Sequence, residues 1–370
     1  MNDLLQAKQV LSSRLLAIGF RRNVVARSRT ISAELAVAAA GRNVHAVGIG
    51  RKIVDGKPTS EMAVRLYVVQ KIAPSLLPPR DHLPERVDGI PTDVIESDPA
   101  FLMARTSRAP AGPGRKRVAR PPARPDTVPR RPCTEERKEQ QRPLVAGISV
   151  AHRAITAGTI GYFCRSLRLG DDPRKVHILS NNHVLANVND GDPGDDIYQP
   201  GPADGGTLAD HVAELRRFKE IDLDGEPNKV DAAVAELLPH IEWRPEICTI
   251  GSILDVERGV EGMEVRKHGR TTGLTEGRIT DESYDALVGM DHNDPNIVAL
   301  FQDQMRIEAT PPHPAIGLGG DSGSLVVSKT SAHAVGLYFA GPESGSYGVA
   351  NHIADVLSEL QIELVAPHVA

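Results

Sequence analysis

The sequence predicts a mainly β protein with a small α+β region in front of it. Three observations carry that expectation. From Leu144 onward, short apolar runs are split by glycine and proline turns, the pattern of a β-barrel architecture. Residues 3–17 and 31–41 have helical spacing with few breakers, and two strand-like alternations follow them. Between these regions lies a stretch dominated by Pro, Arg and Ala, which cannot bury enough apolar surface to order itself.

In chain order, Val44–Lys52 and Ser60–Val69 alternate like strands around a turn at Asp55-Gly56-Lys57-Pro58, and a further short strand is expected near Thr92–Ile95. Residues 1–103 are therefore read as one small α+β module. Residues 104–142 are read as an extended linker; between 104 and 131 there are nine basic residues and one acid, Asp126. A solvated linker accounts for that bias better than a tether to nucleic acid. Residues 143–370 form the β region, long enough to bury a core of its own.

Composition narrows the classes. A chain of 370 residues has room for two domains, and 40% apolar residues suit a globular core. Only 4% are aromatic, so Leu, Ile, Val and Ala must fill that core. A net charge of −5 argues against a general nucleic-acid binder. No apolar run approaches the ~18 residues of a membrane span. The opening Met1–Gln9 lacks the basic start and apolar core of a secretory leader. The three cysteines, Cys133, Cys164 and Cys248, cannot all pair and have no metal-ligand spacing, so they are read as free or buried thiols of a cytoplasmic protein. The acidic loop Asn187–Asp196 lacks the terminal glutamate of a calcium loop and is read as a solvated turn.

Three blocks carry chemistry. In Gly319-Gly320-Asp321-Ser322-Gly323-Ser324 the glycines let a tight turn expose a serine hydroxyl. They also let the N–H groups of Gly320 and Ser322 converge on one point, as an oxyanion hole requires. Upstream, His177–Ser180 leads into Asn181-Asn182-His183, and Val230-Asp231 opens onto the apolar Ala232–Leu237. A serine becomes nucleophilic when a histidine takes its proton, and that histidine needs a carboxylate to hold its tautomer. Asp231 leads into a strand, where a buried carboxylate would need such a partner; the rivals Asp222 and Asp224 sit in a polar stretch.

These blocks resemble the trypsin-like (chymotrypsin-fold) serine peptidases, especially their disulfide-poor bacterial branch. The Ser180–Val184 segment matches the family's catalytic-histidine motif, Asp231-Ala232-Ala233 its D-x-A strand, and Gly320–Gly323 its nucleophile loop. The order His, Asp, Ser is also the family's. The resemblance implies a chymotrypsin-like double β-barrel with a C-terminal helix over Ala354–Leu360. It implies a triad of His183, Asp231 and Ser322 in the cleft between the barrels, with Gly320 in the oxyanion hole and no cofactor or metal. It assigns Ile316 to the base of the specificity pocket, Phe339 and Gly341 to the strand that pairs with an extended substrate, and Gly348 to a pocket wall. Ile316 stands where basic-specific members carry an aspartate, so cleavage after apolar residues is expected. Phe339 departs from the family, which usually has a serine there to support the triad aspartate. His268 and His313 are read as loop residues. Residues 1–103 are similar to a module that precedes trypsin-like domains in a group of bacterial proteins; because an unrestrained endopeptidase would damage its host, this module is expected to control the protease, by covering its cleft or by docking a regulatory partner. An α/β-hydrolase does not fit, because Ser324 stands where its G-x-S-x-G elbow needs glycine and strands follow the serine. The other class left open is a non-catalytic module that binds peptides on the same fold.

Overall fold

The structure, a computed structural model, describes residues 2–17, 43–102, 136–291, 294 and 297–366. The expected helix over 31–41, residues 104–135 of the linker, and Cys133 lie outside them. Among the described residues no helix is long and apolar enough to cross a membrane.

The N-terminal elements are helix α1 (Asn2–Leu15) and strands β1 (Val44–Val54), β2 (Lys57–Val68), β3 (Arg86–Val87), β4 (Ile90–Glu96) and β5 (Ala100–Leu102). The β1–β2 turn falls at Asp55-Gly56, both with positive φ, as the sequence leads one to expect. Ala7, Leu11 and Leu16 bury α1 against Val47, Val64 and Leu66 of the sheet.

Beyond residue 143 the first barrel comprises β6 (Leu144–Ala146), β7 (Ser149–His152), β8 (Gly158–Thr159), β9 (Tyr162–Ser166), β10 (His177–Ser180), the one-turn helix α2 (Asn182–Leu185), β11 (Asp196–Tyr198), β12 (His211–Phe218), β13 (Ala233–Leu237) and β14 (Trp243–Ile247). Eight strands join in the order β21-β9-β10-β13-β12-β11-β7-β8, where β21 (Ile362–Leu364) returns from the C-terminus, and β6 pairs with β14 apart from them. The second barrel comprises β15 (Glu264–Gly269), β16 (Gly273–Gly289), β17 (Val298–Ala309), β18 (Leu325–Ser328), β19 (Ala334–Gly341) and β20 (Tyr347–His352), followed by α3 (Ile353–Leu360). Its strands run β15-β18-β19-β20-β17-β16, and β16 pairs back onto β15, closing the ring. The fold is thus mainly β, a double barrel with a C-terminal helix.

The N-terminal strands continue the second barrel's sheet. The 17-residue β16 gives its first half to β15 and its second half to β1, with Ala46 opposite Ala286 and Ile49 opposite Ser283. Polar groups cross that seam while buried. Arg65 Nη1 and the Tyr67 hydroxyl donate to Asp281 Oδ2 at 3.0 and 2.7 Å. Lys8 Nζ lies 2.5 Å from Asp285 and donates to Ser283 at 2.8 Å. Burial pushes the Asp281 carboxyl up, against the pull of Arg65 and Arg306.

The cysteines are not all free or buried thiols. Cys164 is a buried free thiol whose pKa burial raises to about 12, but Cys248 is disulfide-bonded. The ground that free thiols gave for a cytoplasmic protein is withdrawn, since disulfides persist where no thiol pool reduces them.

Candidate active site

Strand pairing brings His183 and Asp231 together. β10 and β13 are antiparallel, with Ser180 opposite Ala233 and Leu179 opposite Val234. The chain leaves β10 just before His183 and enters β13 just after Asp231, so both residues emerge at one end of the pair. Asn181 Nδ2 donates to the Asp231 carbonyl at 2.7 Å and ties the two segments there. His183 sits in the first turn of α2, not on a strand end. Its Nδ1 hydrogen-bonds to Asp231 Oδ2, and its backbone N–H donates to Oδ1 at 3.3 Å. His183 is 1% exposed and Asp231 is fully buried. His183 Nε2 makes no hydrogen bond.

Ser322 comes from the second barrel, on the turn entering β18. Gly320 holds φ at +98°, a left-handed conformation that favours glycine. The loop lies against the β10 end of the first barrel: Thr159 N–H donates to the Ser322 carbonyl at 2.8 Å, and the Ser180 hydroxyl donates to the Thr159 carbonyl at 2.8 Å. The Ser322 hydroxyl donates to the Phe339 carbonyl at 3.2 Å. Among the described residues, neither the Gly320 nor the Ser322 N–H is spent on a backbone acceptor.

Two supports escaped the sequence reading. Asp321, fully buried, accepts from Lys267 Nζ at 3.1 Å, Thr272 Oγ1 at 2.7 Å and the N–H groups of Thr271 and Leu318 at 2.7 and 2.9 Å. Burial opposes its ionisation, but Lys267 and these donors prevail and hold its pKa below the usual carboxylate range. Lys267 thus supplies, from inside the barrel, the cation this loop carboxylate needs. The N–H of Leu144 is committed to Glu242 at 2.8 Å. Asn351 is the other support. Its Oδ1 accepts from the Asp231 N–H at 3.2 Å, and its Nδ2 donates to Gln304 at 2.6 Å. No local pattern marks a lysine or an asparagine in a strand as a buried partner.

Phe339 is buried against Phe301, with ring centroids 4.8 Å apart, and contributes its carbonyl to Ser322 while its side chain gives Asp231 no hydrogen bond. Ile316 is buried in the cluster that holds Tyr338 and Val265. A Cβ at Gly348 would lie 2.2 Å from the Tyr338 ring and 3.1 Å from Ile316, and one at Gly317 would lie 2.6 Å from the Tyr338 hydroxyl. Tyr338 therefore fills the space between Ile316, Gly317 and Gly348. Gly341 ends β19 and pairs with Phe101.

His268 lies in β15, not in a loop. Its ring hydrogen-bonds to the Gly147 carbonyl at 3.1 Å, and burial lowers its pKa to about 4. Asp222 is engaged in capping the N–H groups of Asp224, Gly225 and Glu226. In the acidic loop, Asp195 pairs with His152 and Arg153. Among the described residues no group of three or more His, Cys, Asp or Glu side chains is arranged to hold a metal ion.

Among solved structures, the chain is similar in fold to bacterial chymotrypsin-like serine proteases. Thermobifida fusca protease A matches at 17% identity over 60% of this chain and 98% of its own, with a TM-score of 0.42. Cellulomonas bogoriensis chymotrypsin matches at 12% identity over 60% of this chain and 98% of its own, with a TM-score of 0.41. A glutamic-acid-specific serine protease matches at 14% identity over 60% of this chain and all of its own, with a TM-score of 0.43. No protein-family model and no curated protein matches the sequence.

Proposed function

We propose that the protein is a serine endopeptidase working through an acyl-enzyme. The observation that carries this reading is the buried His183–Asp231 pair, fixed at the ends of β10 and β13, with the Ser322 turn packed against that same end. Ser322 turns its hydroxyl from the Phe339 carbonyl to His183 Nε2, which is free to take the proton. Oγ attacks the peptide carbonyl and the oxyanion is held by the N–H groups of Gly320 and Ser322. His183 then gives its proton to the leaving amine, while Asp231 keeps the ring oriented and stabilises the imidazolium. Water, activated by His183, releases the acid product. The substrate is a protein or peptide, and the upstream residues restrain the enzyme. The disulfide at Cys248 favours a compartment without a thiol-reducing pool.

A second reading, peptide binding without catalysis, is favoured by one observation: Ser322 and His183 are both buried. A fluorophosphonate probe separates the two, because it labels only an activated serine. Slow labelling of wild type and none of Ser322→Ala are expected. Turnover of a fluorogenic peptide should fall by about 10⁴-fold or more in Ser322→Ala with the fold unchanged. An alanine variant that keeps wild-type turnover rules the mechanism out.

A further inference from the structure

The edge of β19 beside Ser322 is already occupied. β5 pairs with it antiparallel, Phe101 opposite Gly341 and Leu102 opposite Ala340. The next residue of β19 toward the nucleophile is Phe339, whose carbonyl holds the Ser322 hydroxyl. Residues 100–102 therefore run along the strand in the direction of Ser322. An extended peptide binds most readily by adding a strand to a free sheet edge, its main chain supplying affinity and alternate side chains supplying specificity. A peptide on this edge would run toward Ser322 in line with the sheet.

The resemblance already implies that β19 pairs with an extended substrate; we infer that Ala100-Phe101-Leu102 lies along that edge as an internal peptide ligand that keeps the site closed. This rests on the reading of Ser322 as nucleophile.

The side chains fit the assignment. Leu102 is 2% exposed and belongs to the cluster of Phe339 and Ile221, against which Val188 and Leu223 pack. Val188 lies on the loop after His183, and Ile221 and Leu223 on the segment before Asp231. The leucine thus belongs to a cluster drawn from segments flanking both partners of the buried pair as well as from the second barrel. Phe101 lays its ring over Gly289, where an added Cβ would come within 2.3 Å of it. On its other side β5 pairs in parallel with β16, Ala100 opposite Val288. The residues just before it are pinned as well: the Tyr347 hydroxyl donates to the Asp98 carbonyl at 2.7 Å, and His45 Nε2 bonds to the Ser97 carbonyl at 2.9 Å. The segment is covalently part of the chain and cannot diffuse away, so it competes at high local concentration with any peptide in solution. The groove then selects extended peptides with an aliphatic residue opposite Ala340 and an aromatic one opposite Gly341.

The test uses the full chain carrying Phe101→Asp and Leu102→Asp together, since two carboxylates are expelled from an apolar groove. Fluorophosphonate labelling should accelerate at least about tenfold over wild type. If both proteins label at the same rate, the proposal is overturned while the triad stands. If the double variant has no cooperative melt, Phe101→Ala with Leu102→Ala replaces it and must shift the rate in the same direction. A second measurement does not depend on catalysis. A fluorescein-labelled peptide of residues 98–102 should bind the double variant saturably in a Ser322→Ala background, and bind Ser322→Ala alone far more weakly. Peptide binding without labelling of either protein supports the groove and removes the nucleophile. Absence of peptide binding to the double variant overturns the groove.

Discussion

The two barrels bury different material. The core of the first is built from Ile, Val, Leu and Ala, with Tyr162 and Phe163 the main aromatics, and Asp231 is the fully buried carboxylate of its described residues. The sheet of the second encloses Arg65, Lys267, Asp281, Asp285, Arg306 and Asp321, none more than 6% exposed. An apolar core is satisfied by any well-packed neighbour, whereas a buried charge needs one particular partner. In the second sheet two of those partners, Lys8 and Arg65, come from the N-terminal region across the β1–β16 seam. The contrast teaches that the first barrel depends on shape and the second on residues far away in sequence.

The largest effect is expected from deleting residues 1–102. The sequence alone leads one to expect that a protein beginning near Arg142 folds by itself. The deletion bares the edge of β16 and strips Arg65 from Asp281 and Lys8 from Asp285. Removing one partner of a buried pair costs about 3–5 kcal/mol, and two such losses rival the roughly 5–15 kcal/mol stability of a whole domain. The truncated protein should show no cooperative melt. A sharp melt with fluorophosphonate labelling would break the comparison and make the regions separable.

Lys267→Met comes next. It leaves Asp321 buried without its cation and should cost about 3–5 kcal/mol in denaturant titration. Because Asp321 holds the N–H groups of Leu318, Thr271 and Thr272, the Gly320 turn should loosen too. The loss of kcat should be on the order of 10²-fold. An unchanged kcat would separate the ion pair from the oxyanion loop.

Acid sharpens the comparison, because buried histidines sit in both parts of the sheet, His45 in β1 and His268 and His352 in the barrel. His45 of β1 and His268 of β15 are both held down from 6.5 to about 4, chiefly by burial, although each ring also hydrogen-bonds to a carbonyl. Below pH 6.5 the unfolded chain takes up a proton at each ring, while the folded chain does so only near pH 4. Their contribution is therefore intact above pH 6.5 and is lost as the pH falls toward 4, at about 1.4 kcal/mol per pH unit for each. Replacing either with Leu should remove an equal share of that slope from a single transition. Two transitions, each sensitive to one histidine, would show that the N-terminal strands unfold apart from the barrel.

The smallest effect is expected at the exposed pair Lys175–Glu236 of the first barrel. Lys175→Ala should barely move the denaturation midpoint, and by still less at high salt. A loss as large as that of Lys267→Met would mean that the first barrel also leans on specific charge pairs.

Much of the site is written locally. Gly320 and Gly323 announce the turn around Ser322, Asp55-Gly56 announces the β1–β2 hairpin, and the apolar runs before His183 and after Asp231 announce β10 and β13. The helix expected over Ala354–Leu360 is α3, one residue longer at its start. These features follow from backbone preferences and side-chain period, which act within a few residues. The α2 turn under His183 is too short to carry a helical period.

By itself, then, the sequence determined the mainly β class, the order of the strands along the chain and which serine, histidine and aspartate are set on turns and strand ends. The tertiary structure alone decided that β1 lies on β16, that Lys267 neutralises Asp321, that Asn351 steadies Asp231, that Tyr338 fills the space beside Ile316 and that Phe101 and Leu102 lie on β19. Each of these depends on which sheet edges stay open once the second barrel closes and which charges that closure buries. Neither is a property of any short stretch of residues, because the partners are brought together only when distant strands pair.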